Sequence, residues 1–382
     1  MNKKVIWSVL VAIVLTIVAI LFGQNKEVDQ NKKPIKIGTS LALTGGLAYI
    51  GEAERNGLQM GVDDVNSNGG IKGHRLELVT EDNAGLAPSA ASGVQKMVSS
   101  DNIDILVTAF THITQAVKSI AIQADIPMVY ISTLPDIAKE NTLFFRDYFD
   151  SANLGKVIGN YINRSDIMTF AYLGEQGEAC QPYRETVRDV LESEGKKIII
   201  EEQYLGDATD LRSQLLKIKA ANVGGIVTCT WRKSDIFMNQ LNQLGMISIP
   251  TFQFNSPFLP NADTQEIRSL YAKNDTISTW YGLSVNSLND KQKVFADRYF
   301  ERFGKALPSD AAFAYDDIMI ITKALEPCIS EVGEVDNTCF TLEMLKTDYD
   351  GISGKLSFDE NGISQREAIL IKIVDGEWVQ VN

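Results

Sequence analysis

At 382 residues the chain is longer than one hydrophobic core ordinarily organises, so two domains are expected. Hydrophobic residues at 45% and charged residues at 22% mark a folded soluble protein and exclude a disordered or fibrous one. The formal net charge of −13, scattered along the chain as a solvated acidic surface, excludes the basic patch that DNA or RNA binding requires.

Lys3 and Lys4 precede an uncharged apolar run over residues 5–22. As a helix this run spans roughly 27 Å, close to the ~30 Å hydrocarbon core of a bilayer. It ends Ala19-Ile20-Leu21-Phe22-Gly23-Gln24, without the small-residue exit of a cleaved signal peptide, and Gln24 stands where a lipoprotein carries its acylated cysteine. Residues 1–23 are therefore expected to form an uncleaved membrane anchor in preference to a cleaved signal, with the lysines inside and the remaining chain exported.

A polar linker over 24–33 leads into regular βαβ alternation. Strands are predicted over 35–40, 75–80, 104–107 and 128–131, with helices over 53–68, 87–99 and 114–124 that place residues such as Leu58, Val62 and Val65 at helical spacing. Asn68-Gly69-Gly70 reads as a helix stop and Pro88 as a first-turn residue. This pattern implies an α/β fold with a parallel sheet and right-handed crossovers, assigned to a first lobe over 34–147. The same rhythm restarts in a second lobe over 148–276, residues 277–330 are expected to return to the first lobe, and 331–382 to cross a hinge and complete the second. Two Rossmann-like lobes with their strand ends facing one another create a cleft, the usual ligand position of open α/β sheets.

The residues at those strand ends carry the candidate chemistry. Gly45, Gly46 and Gly51 follow the first strand at neither GxGxxG nor GxxxxGK[ST] spacing, so a nucleotide cofactor is not indicated; they form either an anion-binding turn or a plain one. No GxSxG elbow is present and only His74 and His112 offer an imidazole, which argues against a hydrolase and against enzymatic function generally. His74, in a turn before a strand, reads as an exposed structural residue. Thr111 and His112 follow one strand, where they either touch a ligand or cap the next helix, and Ser132 and Thr133 follow another with the same two readings. Trp231 and Arg232 occupy the corresponding edge of the second lobe, as a cleft wall or as packing between helix and sheet.

The four cysteines lack the paired spacing of a zinc site, so no metal is expected. Cys328 and Cys339 flank a polar loop between two helices, and in an oxidising compartment a bridge there would contribute up to about 3 kcal/mol.

Taken together, Ile35-Lys36-Ile37-Gly38, Asn56-Gly57, Asn68-Gly69-Gly70-Ile71-Lys72-Gly73, Phe145-Arg146-Asp147, Ala314-Tyr315-Asp316 and Phe358-Asp359-Glu360-Asn361-Gly362 resemble the solute-binding proteins of branched-chain amino acid ABC transporters, the leucine-binding type with the type I periplasmic-binding-protein fold. The likeness runs from about Ile35 to Trp378. It implies reversible capture of an amino acid, amide or small carboxylate by hinge closure, no cofactor, and an ABC permease as partner; a ligand-sensing receptor domain of the same fold is the alternative. The family's carboxylate-holding hydroxyls fall on Thr111, Ser132 and Thr133, and its first-loop aromatic falls near Ile50, where the closest aromatic here is Tyr49, one place earlier. Its second-lobe Tyr-Gly falls at Cys180, and its ammonium-pairing acid near Asn255 and Ser256. These last two are departures, and loss of the acid argues against a leucine-like ligand, because a buried ammonium without a counter-charge costs several kcal/mol. Some members also carry a small closed loop where Cys328 and Cys339 lie.

Overall fold

The computed structural model describes residues 28–134, 136–177, 179–230, 233–254, 264–280, 283, 288–366 and 368–381. The anchor expected at 1–23 lies outside the described residues, as do Trp231, Arg232 and Ser256. Among the described residues no helix is long and apolar enough to cross a membrane.

Five parallel strands form the first sheet: β1 (Ile35–Leu41), β2 (Leu76–Asp82), β3 (Ile105–Ala109), β4 (Met128–Ile131) and β5 (Phe144–Arg146), in the order β2-β1-β3-β4-β5. Helices α1 (Ala48–Ser67), α2 (Ala87–Lys96), α3 (Thr111–Ala124) and the short α4 (Asp136–Lys139) make the crossovers. Strands β3 and β4 are buried at every residue, which is why they read in the sequence as largely apolar runs and not as alternation.

The second sheet is built from β6 (Thr169–Glu175), β7 (Lys197–Tyr204), β8 (Gly225–Cys229), β9 (Thr251–Gln253) and β10 (Ile277–Trp280), joined by α5 (Ser151–Asn163), α6 (Cys180–Glu192), α7 (Arg212–Ala220), α8 (Ser234–Gln243) and α9 (Gln265–Asn274). A terminal hairpin, β13 (Ile369–Val374) and β14 (Glu377–Val381), pairs antiparallel with β10 and completes the order β14-β13-β10-β9-β8-β6-β7. Here the sequence reading needs correction, because the segment beginning at Ile277 does not leave for the first lobe. The strand β10 is held beside β9 by a buried polar cluster, in which the Thr251 hydroxyl donates to Asn274 Oδ1 at 2.6 Å and lies 3.0 Å from the Thr276 hydroxyl. The chain returns to the first lobe only with α10 (Asp290–Phe303) and α11 (Ser309–Cys328), followed by α12 (Asn337–Leu345) and the ribbon β11 (Asp348–Asp350) and β12 (Lys355–Ser357).

Helix α11 packs along α1 at very short range. A Cβ on Gly57 would meet the Ala311 carbonyl oxygen at 2.1 Å, so only glycine at that position lets the two backbones approach so closely. The Tyr315 hydroxyl donates to Asp64 Oδ2 at 2.9 Å across the same contact. His74, expected at the surface, is fully buried, with Nδ1 2.8 Å from the Lys33 carbonyl oxygen. Cys328 and Cys339 are bridged, tying the end of α11 to α12.

Where the chain passes between the lobes, the segments after β5 and before β13 run side by side. Arg146 N–H donates to the Gly362 carbonyl at 2.8 Å, Ser364 N–H to the Arg146 carbonyl at 2.9 Å, and the Ser364 hydroxyl to the Tyr148 carbonyl at 2.8 Å. At their centre the Arg366 guanidinium forks onto Asp147, with Nε to Oδ1 at 2.7 Å and Nη2 to Oδ2 at 2.8 Å, both side chains almost wholly buried. The guanidinium also lies over the Phe313 ring of α11, 4.6 Å from its centroid. Two further α11 carboxyls close the cluster. Asp316 accepts from the Ile352 and Ser353 amides at 2.9 and 2.7 Å, and burial pushes its carboxyl up to about 6. Burial, then the neighbouring Asp147 carboxylate, holds Asp317 well above the usual carboxylate range.

Removing one partner of such a buried pair leaves the other charge uncompensated. Asp147→Asn should therefore lower unfolding free energy by about 3 kcal/mol, read as a shift of the urea midpoint. A midpoint within error of the parent would show that the pair supports nothing.

Candidate functional site

Between the two sheets lies a cavity of about 380 Å³, within the size range of small-molecule sites. Its first-lobe wall is made by the carboxyl ends of β3 and β4, and its second-lobe wall by the carboxyl ends of β6 and β9. This is where strand ends in an open α/β sheet leave backbone groups and helix starts without partners.

The turn from β3 into α3 supplies Phe110, Thr111 and His112. Phe110 adopts φ +67° and ψ +136°, a conformation that non-glycine residues rarely take and that costs of order 1–3 kcal/mol. No side chain caps α3, and the first helical bond runs from Thr114 N–H to the Phe110 carbonyl at 3.0 Å. The amides of the first turn therefore lie at an electropositive helix start on the cavity wall. Beside them the Thr111 and Ser132 hydroxyls are 2.7 Å apart, and Thr133 lines the same wall. Paired hydroxyls at an uncapped helix start suit an anionic or amide oxygen. His112 reaches the Gly85 carbonyl with Nε2 at 3.0 Å, which fixes its ring at the cavity edge.

Thus Thr111, His112, Ser132 and Thr133, singled out in the sequence, are brought together on one wall. Cys180 joins the opposite wall, where its sulfur is bonded to Cys229 at the end of β8. That second bridge has no sequence signal, since its cysteines are 49 residues apart and meet only because β6 and β8 are neighbours. Tyr49 does not line the cavity among the described residues; the next residue, Ile50, does, because α1 turns that side chain inward. Phe254, Ala179 and Gly177 complete the second-lobe side, and Tyr148 at the crossing forms part of the floor.

Sequence reasoning missed the acidic residues of this cavity. Glu54 of α1, Asp310 in the first turn of α11, and Glu175 at the end of β6 all line it. Glu54 and Asp310 are juxtaposed because the Gly57 and Ala311 contact, one turn further along, closes α1 on α11. Glu54 is 1% exposed, and its Oε2 has no hydrogen-bond partner. Burial, then the charge of Asp310, holds its carboxyl well above the usual range, and burial in the cleft wall pushes Asp310 up to about 6. A signal existed for Glu54. It falls four residues before Leu58 on the stripe that continues through Val62 and Val65, a charged residue on the apolar face of an amphipathic helix.

The family model described as periplasmic binding protein matches residues 34–377. Among curated relatives, the leucine-, isoleucine-, valine-, threonine- and alanine-binding protein of Pseudomonas aeruginosa is 24% identical over 335 residues, covering 86% of each chain. A Leu/Ile/Val-binding protein homolog of Brucella melitensis is 21% identical over 389 residues, covering 97% of this chain and 95% of its own. Among solved structures, a branched-chain amino acid transporter substrate-binding protein from Streptococcus pneumoniae, in complex with isoleucine, superposes with a TM-score of 0.77 at 24% identity, covering 91% of this chain and 100% of that one. A transporter solute-binding protein from Rhodopseudomonas palustris, in complex with 3,4-dihydroxybenzoic acid, gives 0.77 at 18% identity over 91% and 96%.

Glu54 also makes a prediction about the ligand-free protein. Its carboxyl titrates near ~4.3 in the unfolded chain and higher in the folded one, so the folded state holds a proton that the unfolded state releases. Stability from this group is complete below the unfolded value and is lost as pH rises toward the folded value. The melting temperature of Glu54→Gln should match the parent near pH 4 and exceed it increasingly toward pH 8. A difference that does not change with pH would show that this carboxyl is not held in a desolvating site.

Proposed function

Because the chain belongs to the periplasmic binding protein family, whose members bind solutes and are not enzymes, we propose that it captures a small polar solute in the cleft between its lobes and delivers it to an ABC permease. The observation that carries this reading is the Thr111 and Ser132 hydroxyl pair at the uncapped start of α3, facing a second-lobe wall across a cavity of about 380 Å³. The first lobe fixes an anionic or amide oxygen of the solute, and the second lobe closes over the other end. Names of relatives that specify leucine, isoleucine and valine make amino acids the first compounds to screen, and the dihydroxybenzoate complex adds aromatic acids.

Each hydroxyl on the first-lobe wall that meets the solute leaves a buried ligand oxygen unpaired when removed. Thr111→Val or Ser132→Ala should weaken binding of the solute found by thermal-shift screening by about tenfold to a hundredfold, the equivalent of ~1–3 kcal/mol, measured by calorimetric titration. Both variants binding as tightly as the parent would remove these hydroxyls from the site.

The reading further assigns the binding lobes to the extracytoplasmic side, tethered through residues 1–23. Its support is the unbroken apolar run behind Lys3 and Lys4, together with the two disulfides, which persist only in an oxidising compartment. Full-length protein should fractionate with membranes and retain Met1 by mass spectrometry. A mature N-terminus beginning after Gly23 or Gln24 would show cleavage in place of anchoring.

A further inference from the structure

We propose that the Glu54 and Asp310 carboxyls form a receptor for a cationic nitrogen, so that the captured solute carries an ammonium or guanidinium group in addition to its anionic or amide end. The inference rests on the cleft being the solute site.

The argument begins with what these two carboxyls lack. Glu54 is buried on the cavity wall, and its Oε2 has no hydrogen-bond partner among the described residues. Asp310 is equally without a cationic partner there. Among the described residues, Lys305 pairs with Glu52 at 2.7 Å in an exposed contact, and Arg55 reaches Asn56 Oδ1 at 3.3 Å. Buried carboxyls are normally hydrogen-bonded or paired, and an unpaired one persists where a function requires it.

Chain geometry makes the arrangement deliberate. The absence of a Cβ at Gly57 allows α1 to approach Ala311, and Asp310 immediately precedes that contact. Two carboxyls held side by side repel one another when both are ionised, and the repulsion is relieved by a positive charge placed between them. An ammonium group supplies donors to both, while a guanidinium meets a carboxylate with a two-pronged fork. The remaining titratable groups lining the cavity are Glu175, His112 and Tyr148, so the described wall holds three acids and no Lys or Arg. The uncapped α3 start on the same first lobe has the opposite polarity. A solute with a cationic group at one end and an oxygen-rich group at the other fits both.

Calorimetric titration of the full-length chain in detergent with matched probes tests this. Suitable pairs are γ-aminobutyrate against butyrate and 4-guanidinobutyrate against butyrate, with arginine and putrescine added. The expected result is that at least one cationic probe binds and its counterpart lacking the cationic nitrogen binds at least tenfold more weakly. Glu54→Gln and Asp310→Asn should each weaken that cationic probe tenfold or more. Because Glu54→Gln is expected to melt above the parent near neutral pH, weakened binding with an intact melting transition reports on the site and not on the fold. If butyrate or 3,4-dihydroxybenzoate binds and both carboxyl variants bind it as tightly as the parent, the cation receptor is overturned while the solute-binding reading stands. If no probe of either kind binds, the cation receptor is overturned, and the thermal-shift screen of amino acids, amides and aromatic acids decides the solute-binding reading separately.

Discussion

The buried fork between Arg366 and Asp147 is the interaction on which the two-lobe arrangement depends. Asp147 ends the first sheet and Arg366 precedes the last hairpin of the second, so one ion pair sets the spacing of two interlobe segments. A pair so thoroughly removed from water is a poor source of net stability, because desolvation of two charges offsets most of their attraction. Its value lies in specificity, because in the observed register each group meets the other in a two-pronged contact. Phe313 under the guanidinium and Asp317 beside the carboxylate confine the pair from the α11 side. Helix α11 therefore reads the state of the crossing at its middle and forms the acidic corner of the cleft at its start.

That double engagement links the site to the fold. The cleft is assembled from groups that the secondary structure leaves unfinished, namely strand ends, an uncapped helix start and a strained Phe110 turn. Each is costly in an isolated domain and is held in place by the rigid sheets behind it. The strain sits on the same wall as the Thr111 and Ser132 hydroxyls, where small displacements would separate the two oxygens.

Much of this was legible in the sequence, for reasons that particular residues make plain. Strands β3 and β4 announce themselves because burial on both faces demands unbroken apolar runs, and whatever follows such a strand in an α/β fold lies at the cleft. Thr111, His112, Ser132 and Thr133 were found by that logic alone. The assignment of Ile277 failed because its strand is identical in character to those of either lobe, and only its pairing with Phe252 decides the sheet. His74 failed for a related reason, since a histidine in a glycine turn is usually exposed and here is covered by the segment carrying Gly333. Glu54 and Asp310 were invisible as a pair because their meeting depends on the approach of two helices distant in sequence. Periodicity records which face of a helix is buried and not what that face meets.

The disulfide between Cys180 and Cys229 has a kinetic and energetic implication for capture. It staples the β6 to α6 turn to the end of β8, so the receiving wall of the second lobe is set when the bond forms and not when a solute arrives. A loop that must order itself around each incoming molecule loses conformational entropy at every encounter, and that loss is subtracted from affinity. Oxidative folding moves the loss to a single event in the life of the molecule. On the proposed capture, what remains for each binding cycle is closure of the two lobes, with two preformed surfaces meeting over the solute.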